Sequence, residues 1–196
     1  MKTNASKHND LSQDTGSVME QVPEFPADLL HVEQPLEIFR SATVKASHPA
    51  ELDLFARHEE IPAHNQKLLG EASIAMLGAG GLNSAAGVGL ARSGAGTITV
   101  VDHDFVELSN LSRQFFHEAD LGHPKAICLA RNLAAQAFDG ATVTGIGLRF
   151  AEAAERYVLP ADIFVVGVDN NECRLQAARE ARRRRIPAVF TMLSTD

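Results

Sequence analysis

No stretch of this 196-residue sequence approaches the roughly 18 consecutive apolar residues that a membrane span requires. The first residues also lack a basic segment followed by an apolar core, so neither a membrane protein nor a secreted one is expected, and the chain reads as cytoplasmic. Cysteine is scarce. Cys128 and Cys173 are too few and too far apart for a disulfide framework or a paired metal site, and both read as packed thiols. Cationic excess is missing too: net charge is −7, with 11 acidic and 5 basic side chains in residues 1–60 against 14 and 13 in the remainder. The acidity belongs to the N-terminal arm, and nucleic acid is not an expected partner.

What is present is a 45% hydrophobic chain, enough for one well-filled α/β domain with an extension. Residues 1–50 are rich in Ser, Asn, Asp, Gln and Pro and form a polar N-terminal extension, expected to be disordered up to about Val22. Within it Leu29, Leu30, Val32, Leu36, Ile38 and Phe39 favour docking on the domain, as a strand or short helix, over binding a partner. Residues 51–196 carry the domain. Its first part, 51–69, has a helical pattern interrupted by Pro62, with a second short helix at 66–70 closed by glycine. Strands are then expected at 74–77, 97–101, 142–148, 163–168 and 186–191, and helices at 82–92, 124–138, 151–159 and 171–185. That alternation predicts a Rossmann-like, doubly wound, mostly parallel sheet flanked by helices, with right-handed crossovers.

The stretch 74–125 organises the rest. Gly78, Gly80 and Gly81 follow a short apolar strand and open a small-residue helix, where close backbone approach, unpaired amides and the helix dipole favour a phosphate. Asp102 ends the next strand at about the spacing at which a carboxylate meets a ribose hydroxyl. A dehydrogenase shares these parts. The loop Ser109-Asn110-Leu111-Ser112-Arg113-Gln114 and the later Lys125 are different: two cations and an amide beside a phosphate turn suit a triphosphate. Asp169 adds a carboxylate at the same sheet edge, and a carboxylate facing phosphates implies magnesium.

Other residues read more plainly. Asn83 stands where a dinucleotide fingerprint has its third glycine and is expected to cap the first helical turn. Asp104 reads as a turn cap, and His103, His117 and His123 do not share a metal-site spacing. Phe115 and Phe116 should anchor the loop to the core, and Arg174 should brace the loop after Asp169. The run Arg182 to Arg185 complements a helix C-terminus and is solvated.

Taken in order over about residues 55–190, Gly78-Ala79-Gly80-Gly81-Leu82, Asp102, the Ser109 to Gln114 loop, Lys125 and Asp169-Asn170 resemble the ubiquitin-activating-enzyme-like adenylyltransferases, the superfamily of ThiF and MoeB. The resemblance implies that Gly81 and its neighbours Gly78 and Gly80 bind phosphate and that Asp102 binds ribose. It implies that Asn110, Arg113, Gln114 and Lys125 hold the triphosphate of ATP and that Asp169 positions Mg2+. The reaction it implies joins the terminal carboxylate of a ubiquitin-like or sulfur-carrier protein, ending in glycine, to AMP with release of pyrophosphate. It also implies a homodimer, because in the family a segment near 51–69 inserts an arginine into the partner's ATP site. Arg57 is the candidate here, set against a plain solvated arginine on a helix face. The family's acyl-accepting cysteine and CxxC zinc site, where present, lie downstream of the position of Asp196. Two other readings stay open, a catalytically silent scaffold subunit of a heterodimeric activator and an NAD-dependent oxidoreductase; Asn83 and the cationic loop disfavour the second.

Overall fold

Six strands make one sheet in the order β1-β4-β3-β2-β5-β6. They are β1 Leu36–Arg40, β2 Ser73–Leu77, β3 Thr97–Val101, β4 Thr142–Ile146, β5 Ile163–Val166 and β6 Ala188–Phe190. The structure, a computed structural model, describes residues 35–43, 54–58, 60–138 and 140–192. Neighbouring strands run parallel except at one edge, where β1 pairs antiparallel with β4 and Leu36 lies opposite Ile146. The helices are α1 Gln66–Glu71, α2 Gly81–Arg92, α3 Lys125–Ala134, α4 Phe150–Arg156 and α5 Asn171–Arg184.

Parallel strands covered on both faces must be apolar on both, and β2 is buried from Ile74 to Leu77. Successive side chains feed two cores. Ile74 and Met76 join Ile98, Val100 and Val143 under Leu129 and Leu133 of α3, while Ala75 and Leu77 join Phe164 and Val166 under Phe150 of α4 and Ala177 of α5. The sheet is therefore wound in both directions from its centre, as expected. Winding reverses between β2 and β5, and a crevice at the carboxyl ends of these strands is the usual ligand position in such sheets.

Several boundaries differ from expectation. The 51–69 pattern yields a 3-10 turn at Ala56–His58 and α1, which is capped by Asn65, whose side chain accepts from the Leu68 N–H at 3.0 Å; residues 51–53 and 59 lie outside the described residues. Helix α3 stops at Ala134 because the chain tightens, with Gln136 and Ala137 both donating to the Leu133 carbonyl. Strands β4, β5 and β6 are shorter, ending at Ile146, Val166 and Phe190, although Gly147 and Gly167 still donate to the Pro35 and Leu77 carbonyls at 2.7 and 2.9 Å. From the segment assigned to the extension, Leu36–Arg40 supplies the edge strand, with Phe39 on one core and Leu36 on the other. Leu29, Leu30, Val32 and the expected disorder up to Val22 lie outside the described residues. Among those described, no helix is long and apolar enough to cross a membrane.

Candidate active site

The strand β2 delivers the chain into Gly78, whose φ of +94° is the left-handed region that glycine tolerates. Its amide donates to the Val101 carbonyl at 2.8 Å, which ties the turn to β3. Gly80 is the N-cap of α2 and has no side chain to occupy the helix amides, so the first turn stays open to a ligand. A Cβ at residue 81 would stand 3.0 Å from the Arg113 carbonyl oxygen; the cationic loop lies directly against this helix start.

Asp102 directly follows β3 and works first on the protein itself. One carboxylate oxygen accepts from the Ala79 N–H at 2.6 Å and the other from the Asp104 N–H at 2.8 Å, fixing the shape of the glycine turn. Each oxygen keeps a second lone pair for another donor. Asp104, expected as a turn cap, is instead the counter-ion of Lys125, with Nζ 3.2 Å from its Oδ2. His103, Asp102 and Asp104 approach one another within 4.8 Å, but their oxygens are already held by Ala79, the Asp104 amide and Lys125.

The loop 103–124 closes at its base, where Val106 donates to the His123 carbonyl and Gly122 to the Val106 carbonyl, both at 2.9 Å. Asn110 is buried, and its Oδ1 accepts from the Glu107 N–H at 3.0 Å; its amide nitrogen has only a 3.4 Å contact with the Ser109 hydroxyl. Arg113 is exposed and makes no side-chain hydrogen bond or ion pair among the described residues. The Oε1 of Gln114 is buried and lacks a partner among the described residues. Phe116 is buried in the core and Phe115 packs against it, anchoring the loop as expected.

These pieces meet in one cleft of about 960 Å³. Gly78, Gly80, Gly81 and Asp102 line it on one side, with Asn110, Arg113 and Gln114 from the loop and Lys125 from the start of α3. Asp169, after β5, completes it; its carboxylate is exposed and has no partner among the described residues. Asn170 caps α5 by accepting from the Glu172 and Cys173 amides, and Arg174 braces the loop by donating to the Val168 carbonyl at 2.7 Å. Arg57 does not line this cleft. It pairs with Glu60 at 3.3 Å, both side chains more than 70% exposed.

Asn83 departs from its expected role. Gly80, not Asn83, caps α2, and the fully buried Asn83 amide donates to the carbonyls of Leu77 at 2.9 Å, Gly78 at 2.8 Å and Val165 at 3.3 Å. Space for it comes from Gly167, where a Cβ would lie 2.4 Å from Asn83 Oδ1. The glycine missing from the helix is supplied by the neighbouring strand end.

Cys173 lines the cleft, but burial raises its pKa, and the Asp102 and Glu172 charges raise it further. Cys128 is pushed up to about 12 by burial and then by the Asp120 charge. Both thiols are poor nucleophiles, as packed thiols are. Sequence reasoning missed Leu148, Arg149 and Phe150, which line the cleft at the end of β4. The strand-end rule that located Asp102 and Asp169 would have found them had β4 been ended two residues earlier.

The ThiF family model matches residues 54–195. The sulfur carrier protein ThiS adenylyltransferase of Bacillus subtilis is 36% identical over 142 residues, 70% of this chain and 41% of that protein. The SAMP-activating enzyme E1 of Haloferax volcanii is 42% identical over 80 residues, 39% of this chain and 30% of that protein. A crystal structure of E. coli MccB with AMPCPP and MccA superposes with a TM-score of 0.58 at 29% identity, covering 67% of this chain and 40% of that one. The chain thus spans less than half the length of these relatives. The match over residues 54–195, on a sheet wound as described and centred on the glycine turn, makes this chain a member of the ThiF family.

Proposed function

We propose that this chain carries the adenylating site of a ThiF-family enzyme, which activates the C-terminal carboxylate of a ubiquitin-like or sulfur-carrier protein with ATP. The observation that carries the reading is the convergence, in one cleft, of an open helix N-terminus, the cations Arg113 and Lys125, and the carboxylate of Asp169, unpartnered among the described residues. An AMPCPP-bound relative and relatives named as adenylyltransferases support it.

In this reading the amides around Gly78 to Gly81 take phosphate oxygens and Asp102 takes a ribose hydroxyl through its remaining lone pairs. Arg113 and Lys125 neutralise the outer phosphates, with Asn110 and Gln114 as nearby amides, and Lys125 exchanges Asp104 for phosphate as it does so. A carboxylate is a poor electrophile. Its oxygen attacks the α-phosphorus, the bond to the bridging oxygen of the β-phosphate breaks, and pyrophosphate departs with its charge matched by the two cations. The product is an acyl-adenylate with AMP as a good leaving group. Asp169 fits Mg2+: its carboxylate faces the cleft without a competing partner among the described residues, and magnesium held there would neutralise phosphate charge.

The chain acts as a homodimer in this reading, with Arg57 reaching the partner's cleft rather than its own. Leu54, Ile61 and Leu68, all exposed on the same stretch, would be covered by the second copy. The test is isotope exchange between ATP and labelled pyrophosphate with a small β-grasp protein ending in glycine. Exchange should require both proteins, and Asp169→Ala should abolish it while the circular dichroism spectrum is unchanged. Exchange retained by that variant would overturn the assignment.

A further inference from the structure

Asp120 is the acidic side chain buried among the described residues, 1% exposed, and the adenylation chemistry does not draw on it. We infer that Asp120 is a positioning residue: its carboxylate, with Asn132, holds the loop that carries Arg113 against the glycine turn and so sets the grip on the triphosphate. The inference rests on the reading of the cleft as an ATP site.

The carboxylate collects donors from two elements. One oxygen accepts from the His117 N–H of the loop and from the Asn132 side-chain amide of α3, both at 2.8 Å; the other accepts from the Arg131 guanidinium of α3. Every partner is a donor. An asparagine in its place would turn an N–H toward at least one of them, so only the ionised acid satisfies all three.

Asn132 extends the tie. The same amide nitrogen donates to the Phe115 carbonyl at 3.2 Å, two residues after Arg113. The Arg113 amide is itself bonded to the Asn110 carbonyl at 3.1 Å, and its own carbonyl rests against Gly81. A continuous line of contacts therefore runs from the second turn of α3 through Asp120 and Asn132 to the backbone of Arg113. Lys125 is the first residue of the same helix. Helix α3 is thus the common frame for both cations: Lys125 is part of it, and Arg113 is referenced to it through a buried acid. Groups that grip a triphosphate together must keep their separation, and side chains behind the contacting residues commonly fix it.

A structural role alone would lower stability without discriminating among nucleotides. The experiment is titration of the folded full chain with ATP and Mg2+, and separately with AMP, which reaches the glycine turn and Asp102 but not the outer phosphates. Asp120→Asn should weaken ATP binding about tenfold and leave AMP within about twofold. In an Arg113→Ala background the same substitution should cost no further ATP affinity. Asn132→Ala, a smaller change, should reproduce the pattern and serves if Asp120→Asn does not fold. Equal weakening of ATP and AMP, unchanged ATP binding, or a full further loss on top of Arg113→Ala would overturn the inference. Failure of the wild type to bind ATP, or indifference of ATP binding to Arg113→Ala, would instead overturn the ATP reading on which it rests.

Discussion

Gly167→Ala tests whether Asn83 and Gly167 form one interlocked unit. The added methyl would lie 2.4 Å from Asn83 Oδ1, 2.5 Å from its Cγ and 2.9 Å from its Nδ2, so it meets the whole amide rather than a flexible tip. Asn83 has no room to yield, being fully buried with its nitrogen held by the Leu77 and Gly78 carbonyls. Overpacking of a filled site costs about 1–3 kcal/mol, and swinging the amide aside would instead strand buried carbonyls at about the same cost. We expect about 2 kcal/mol of destabilisation. Asn83→Gly alone should cost about 1–2 kcal/mol, because it loses hydrogen bonds and adds a helical glycine but also removes an oxygen that has no partner among the described residues. In the double variant the methyl enters the space left by the amide, so the pair should be about 2 kcal/mol more stable than the sum of the singles. Urea unfolding followed by circular dichroism gives all three values. Additivity to within about 0.5 kcal/mol would refute the interlock.

Asp104→Asn should release Lys125 for phosphate and tighten ATP binding by up to about fivefold, the worth of one partly exposed ion pair; weaker binding would show that Asp104 assists rather than competes. The Arg183 hydrogen bond, with Arg184, lowers the Glu180 carboxyl from 4.5 to about 2, so its contribution to stability is present above pH 4.5 and is lost as pH falls toward 2. Glu180→Gln should therefore cost about 1 kcal/mol at neutral pH and flatten the acid limb of a stability profile over that window; an unchanged acid limb would count against the pairing.

The parts of the molecule that were legible in the sequence are those set by local chemistry. Glycine punctuation after an apolar run located the turn at Gly78 to Gly81, and the apolar run at 97–101 fixed β3 to the residue. Lys125 at a helix start was legible for the same reason, since Pro124 precedes it. What was not legible depends on side chains meeting across long separations. Asn83 reaches the Val165 carbonyl 82 residues away, and no local pattern says that Gly167 would make room for it. Asp120 looks like any loop acid until Arg131 and Asn132 are folded onto it. The edge strand Leu36–Arg40 sits in a polar segment whose few apolar residues suited a strand or a helix equally, and pairing with β4 decided the matter.

Asp102 has a consequence for how this protein can be interrogated. Because its two oxygens already brace Ala79 and Asp104, deleting the carboxylate would deform the turn at the same moment as it removed any recognition of a sugar. A dead variant at that position would therefore be uninformative about which job had been lost. Taking a hydroxyl away from the nucleotide, with 2′-deoxy and 3′-deoxy analogues offered to the unaltered chain, separates scaffold from recognition, because the edit is then made on the ligand and the protein keeps its shape.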